Sequence, residues 1–139
     1  MIKGSCLCGG VRFELAAAVG PFELCHCSRC RKVTGSAFLP YLLVRREHLV
    51  FVQGSELVTT YDAPVRATPP AFRTCFCSRC GSPVPDPNAS ADLIDVPAGS
   101  LDGDPGLRPE RHIFVDGMPA WFAIHDDLPR FDKAATRQP

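Results

Sequence analysis

Apolar and polar positions alternate over Val11–Leu15, the period-two pattern of a half-buried strand. Ala16–Pro21 then reads as a loop closed by Gly20-Pro21. Lys32–Gly35 predicts a turn, and Ser36–Val44 an apolar strand interrupted by Pro40. Arg45–His48 predicts one short helical turn. Leu49–Gln53 and Glu56–Asp62 predict a hairpin around Gly54-Ser55. Phe72–Phe76 leads into a cysteine knuckle. Leu93–Val96, His112–Val115 and Ala120–Ile124, the last opened by Pro119, are further short β-rich runs, and Asp102–Pro109 is a loop. No segment sustains a 3.6-residue apolar period over ten positions, while 14 prolines and 11 glycines punctuate the chain. The predicted class is therefore mainly β, a small domain of short antiparallel sheets with little helix. We expect one domain over residues 1–139, with a core of about 4–132 and a frayed tail at Ala134–Pro139.

Composition narrows the function. The 45% hydrophobic content is enough for a packed core. Fifteen basic residues balance fifteen acidic ones, which disfavours a general nucleic-acid binder needing a basic excess for phosphates. No apolar run approaches the roughly 20 residues of a membrane span. The start, Met1-Ile2-Lys3-Gly4-Ser5-Cys6, offers no apolar signal region. The expected location is the cytoplasm, where eight cysteines stand as reduced thiols or metal ligands.

Those cysteines fall in three tight clusters: Cys6 and Cys8; Cys25, Cys27 and Cys30; Cys75, Cys77 and Cys80. A tetrahedral zinc with Zn–S bonds of about 2.3 Å holds its sulfurs about 3.8 Å apart. A C-x-x-C turn delivers two sulfurs at that separation, and Gly81 after Cys80 suits the left-handed residue closing such a turn. A C-x-C pair on an extended strand points both side chains the same way. A disulfide scaffold is the competing explanation, disfavoured by the poor placement of C-x-C neighbours and by the compartment. Joining Cys6 and Cys8 to Cys77 and Cys80 through one zinc makes a closed, structural site stapling the N-terminus to the second half of the fold. Cys25, Cys27 and Cys30 then supply three thiolates and leave a fourth position open, the arrangement of a catalytic zinc. Seven thiolates and two Zn²⁺ add roughly −3 to the formal charge, which Arg29, Arg31, Lys32 and Arg79 can offset in part.

At these residues the chain resembles the glutathione-dependent formaldehyde-activating enzymes and their relatives. Gly4-Ser5-Cys6-Leu7-Cys8-Gly9-Gly10-Val11, Cys25-His26-Cys27-Ser28-Arg29-Cys30-Arg31-Lys32 and Phe76-Cys77-Ser78-Arg79-Cys80-Gly81 carry the resemblance. Gly99-Ser100-Leu101-Asp102, His112-Ile113-Phe114-Val115 and Asp126-Asp127-Leu128-Pro129 extend it over residues 4–132. It implies a β-tent fold with a structural zinc on Cys6, Cys8, Cys77 and Cys80 and a catalytic zinc on Cys25, Cys27 and Cys30. Cys75 stands outside the family's usual ligands and reads as a buried thiol, an alternative ligand or a redox partner, in that order.

The resemblance implies a carbon–sulfur lyase that makes or breaks a thiol–aldehyde adduct, with glutathione and formaldehyde as the pair. The alternative is a non-enzymatic zinc module for a protein partner, its second zinc closed by Cys75 or His112. His26, His112 and Asp126 are candidate proton carriers that spacing does not rank. Arg31 and Lys32 are candidates for a substrate carboxylate. Trp121, Phe114 and Phe122 read as core. Oligomeric state is not encoded in any of these patterns.

Overall fold

Short strands need partners to bury their apolar faces, and in this protein three separate sheets supply them. The structure, a computed structural model, describes residues 1–67 and 69–135. β1 (Ile2–Ser5), β2 (Arg12–Leu15) and β5 (Leu49–Gln53) form a three-stranded antiparallel sheet in the order β1-β2-β5. β3 (Phe22–Cys25), β4 (Leu39–Arg45), β8 (Leu93–Pro97) and β9 (Arg111–Ile113) form a second, in the order β8-β4-β3-β9, with β9 parallel to β3. β6 (Val58–Asp62) pairs with β7 (Arg73–Cys77). The fold is mainly β, as the alternation and punctuation predict. Among the described residues no helix is long and apolar enough to cross a membrane.

Alternation decides which face each strand buries. Phe13 and Leu15 of β2 meet Phe22 and Leu24 of β3, Leu42 and Val44 of β4, and Ile94 and Val96 of β8 in one buried cluster. Each such side chain contributes about 1.5–3 kcal/mol by leaving water. The opposite face of the second sheet carries Cys25, Leu39, Tyr41, Asp95 and Ile113, brought side by side by the register Cys25↔Leu39, Cys25↔Ile113 and Tyr41↔Pro97. β3 is buried along its whole length because both faces are covered. Pro40 is tolerated because pairing with β8 begins only at Tyr41↔Pro97, so its missing N–H breaks no bond on that side.

Five expectations need correction. β5 and β6 are both strands, but they do not form a hairpin: β5 joins β2 and β6 joins β7. Gly54, at φ +71°, packs so closely that a Cβ there would sit 2.0 Å from the Gly10 carbonyl oxygen, and the Ser55–Leu57 turn then sends the chain away from β5. The turn expected at Lys32–Gly35 is the end of a helix, α1 (Ser28–Thr34), which begins inside the cysteine motif. Ala120–Ile124 is not a strand; the Phe122 N–H donates to the Pro119 carbonyl in a turn, and its ring packs on His26 and Phe38. Trp121 is 73% exposed and outside the core. The fold also runs past its expected end. His112 and Phe114 N–H groups donate to Pro129 and Lys133 carbonyls, and Ala135 is buried. Residues 136–139, the remainder of the expected frayed tail, lie outside the described residues.

Candidate metal centres

The first sulfur group is built by two turns. The Cys6 N–H donates to the Val11 carbonyl (3.1 Å) and the Gly9 N–H to the Cys6 carbonyl (2.9 Å), so the chain folds back and sets the Cys6 and Cys8 sulfurs 3.5 Å apart. At the end of β7 the Gly81 N–H donates to the Cys77 carbonyl (2.8 Å), with Gly81 at φ +76°, the left-handed geometry expected there. The Cys8 and Cys77 sulfurs are 3.9 Å apart, and those of Cys6, Cys8, Cys77 and Cys80 all lie within 4.8 Å of one another. The Ser82 hydroxyl, 3.3 Å from Cys80 Sγ, and the Ser82 backbone pull the Cys80 thiol down to about 5. Four soft sulfurs near the 3.8 Å spacing of a tetrahedral zinc fit that ion.

The second group is Cys25, Cys27 and Cys30, also within 4.8 Å of one another. Cys25 ends β3, and Cys27 caps α1, its sulfur accepting from the Cys30 N–H at 3.3 Å. Hydrogen bonds from the Cys25 and Cys30 thiols push the Cys27 thiol down, while the same contacts push Cys25 and Cys30 up. Crowded sulfurs that must share protons are a donor set suited to a soft dication. Cys75 belongs to neither group; it is buried, and burial pushes its thiol up to about 12.

The two groups differ in what lies beside them. A cavity of about 850 Å³ opens over Cys25, Cys27 and Cys30, while Cys6, Cys8, Cys77 and Cys80 take no part in its walls. Its floor is the face of the second sheet opposite the core, with Leu39, Tyr41, Asp95 and Ile113. Across from it stand Phe72, Arg73 and Cys75, the latter two from β7.

The sequence patterns do not single out Tyr41 in this cavity, nor Glu23 and Arg111, which hold it without lining the cavity themselves. Tyr41 donates to Glu23 Oε2 at 2.5 Å, and Arg111 holds Glu23 Oε1 at 2.6–2.7 Å. The register explains the trio, since Glu23 lies opposite Tyr41 on one side and Arg111 on the other. Burial, then the Glu23 hydrogen bond, pushes the Tyr41 hydroxyl well above its usual value. Only the pairing of β3, β4 and β9 brings these groups together, and no local spacing encodes it.

His26, His112 and Asp126 are brought together, but not in the cavity wall. His26 Nε2 and His112 Nδ1 are 2.8 Å apart, and His112 Nε2 lies 3.0 and 3.1 Å from the two Asp126 carboxylate oxygens. Side chains alternate along extended backbone, so His26 points away from the face that Cys25 and Cys27 share. It packs instead against Phe38 and Phe122. Of the candidate carboxylate binders, the Arg31 Nε donates to the Gly117 carbonyl at 3.2 Å and Lys32 is exposed; neither lines the cavity.

Comparison with known proteins agrees with this geometry. The family model described as "Glutathione-dependent formaldehyde-activating enzyme" matches residues 1–117. A Halomonas elongata protein named "Putative glutathione-dependent formaldehyde-activating enzyme" is 34% identical over 128 residues, covering 89% of this chain and 81% of the relative. The crystal structure of a Rhodobacter sphaeroides protein superposes with a TM-score of 0.57 at 27% identity, covering 73% of this chain and 89% of that one. A family model matching residues 1–117, together with a relative 34% identical over 89% of the chain, makes this chain a member of the glutathione-dependent formaldehyde-activating enzyme family.

Proposed function

We propose that the protein is a zinc-dependent carbon–sulfur lyase acting on the adduct of a small thiol, such as glutathione, with a small aldehyde, such as formaldehyde. Cys6, Cys8, Cys77 and Cys80 hold a structural zinc, and Cys25, Cys27 and Cys30 hold a catalytic one. The observation that carries the reading is the asymmetry of the two groups: the three-sulfur group faces a cavity and the four-sulfur group does not. A zinc on three thiolates supplies a position where a thiol binds as thiolate near neutral pH.

The chain's own residues do the rest. Cys25 and Cys30 are buried and fixed by β3 and α1, and with Cys27 they would hold the ion beside the cavity. Leu39, Phe72, Ile113 and Phe114 exclude water around it. In the synthetic direction the thiol sulfur bonds to the aldehyde carbon and the carbonyl π pair moves to oxygen. That oxygen takes up one proton, matching the one the thiol gives up. Tyr41 lines the cavity with its own proton committed to Glu23, and its hydroxyl oxygen keeps acceptor capacity that can orient the new hydroxyl.

The closed-module alternative needs a fourth side chain at the second zinc. His112 has both ring nitrogens engaged, and Cys75 lies outside the three-sulfur group. Both observations favour the enzyme. The test is exchange NMR of formaldehyde with glutathione. Zinc-loaded protein is expected to accelerate exchange, and Cys27→Ser to abolish the acceleration. Unchanged rates with fully loaded protein contradict the assignment.

A further inference from the structure

We infer that Arg29 is a carboxylate anchor in the cavity wall, so that the thiol accepted there is an anionic one carrying a carboxylate several bonds from its sulfur. The inference rests on the thiol reading above and adds the group that selects the thiol. Arg29 lies between Cys27 and Cys30 and lines the cavity they face. Its guanidinium carbon sits 5.0 Å from the centroid of the Phe72 ring. Stacking on an aromatic face leaves the guanidinium edges free for in-plane hydrogen bonds, the geometry that receives a carboxylate with two parallel bonds.

Among the described residues no hydrogen-bond acceptor for those edges is found. Arg29 Nε is buried and without a hydrogen-bond partner, and no ion pair joins this residue to a carboxylate among the described residues. A buried donor with nothing to bond is costly, so a missing acceptor is implied. The other arginine in the wall is already satisfied: Arg73 donates to both oxygens of Asp62 at 2.8 and 3.1 Å, and to Asp86 at 3.3 Å. Arg31 and Lys32 are outside the wall. One uncommitted cation beside three thiolates also answers an electrostatic difficulty, because those sulfurs repel an incoming anion that has no cation to meet it. A neutral thiol gains nothing from Arg29; a thiol with a carboxylate does.

The experiment uses zinc-loaded full-length protein and S-methylglutathione, whose capped sulfur cannot react, against the dimethyl ester of the same compound. Dissociation constants come from ligand-observed NMR. The free acid is expected to bind about tenfold more tightly than the ester, the loss typical of one charge-assisted pair. Arg29→Met should bring the acid to the ester's level while leaving the ester within about twofold of wild type. Arg29→Lys, which keeps the charge and loses the fork, should fall between, and it serves if the methionine variant fails to fold. Equal binding of acid and ester by wild type overturns the anchor, as does an equal loss for both ligands in either variant. Acid selectivity without any acceleration of formaldehyde exchange upholds the anchor and sinks the lyase reading. Acceleration without acid selectivity does the reverse.

Discussion

A histidine threaded between two cysteines is fixed from behind. His26 is fully buried, and its Nε2 meets His112, which in turn meets Asp126. Burial, with His112 alongside, pushes the His26 imidazole below its usual value, so the neutral ring is the native form. The chain of bonds holds the Cys25–Cys27 backbone, and its members differ in what their loss exposes. His112→Ala orphans a buried nitrogen and should cost about 2–3 kcal/mol in urea denaturation. Asp126→Asn keeps an acceptor for His112 and should cost about 1 kcal/mol. The reverse order contradicts a positioning chain. Cys75 acts differently. With its thiol pushed up to about 12 by burial, the neutral form is favoured in the fold. Its contribution to stability is full below the unfolded thiol's value near 9 and is lost as pH rises from there toward 12. Native zinc-loaded protein at pH 8 should therefore leave Cys75 unalkylated by iodoacetamide, read by peptide mass spectrometry. Rapid labelling contradicts the buried-thiol assignment.

Elements show where local pattern informs and where it stops. β2 is legible because its period-two alternation records one buried face directly, while β4, β5 and β8 are legible as short apolar runs. The partner of β6 is not legible, because Gly54 and the Ser55–Leu57 turn redirect the chain through a contact with Gly10 that lies far away in sequence. Gly54→Ala forces a Cβ to 2.0 Å from the Gly10 oxygen at a backbone angle that disfavours side chains. It should cost at least about 2 kcal/mol, measured as a lower urea midpoint. A neutral effect would mean the two segments do not pack as described. α1 escaped the sequence because its seven residues bury only Cys30, so there is no apolar stripe to detect. The two sulfur groups were the opposite case. Ligand geometry is local for C-x-C and C-x-x-C, so spacing alone exposes it, whereas Tyr41, Glu23 and Arg111 needed three strands in register.

On the scale of the whole molecule, one sulfur group bridges residues about seventy positions apart, joining the loop after β1 to the end of β7. Structural zinc contributes on the order of 10 kcal/mol or more to small domains, comparable with a domain's entire stability of about 5–15 kcal/mol. Cys80→Ser should therefore lose cooperative folding, seen as collapse of amide dispersion in NMR. Cys27→Ser should keep that dispersion and lose the cavity-facing metal. Equal damage from the two changes would contradict separate roles. The central claim is that four sulfurs close one zinc and three leave the other open, and zinc K-edge X-ray absorption with metal analysis tests it most directly. The account predicts about two zinc per chain with an average of about 3.5 sulfurs each, the balance being a light ligand. One zinc per chain, or four sulfurs at both, would contradict it.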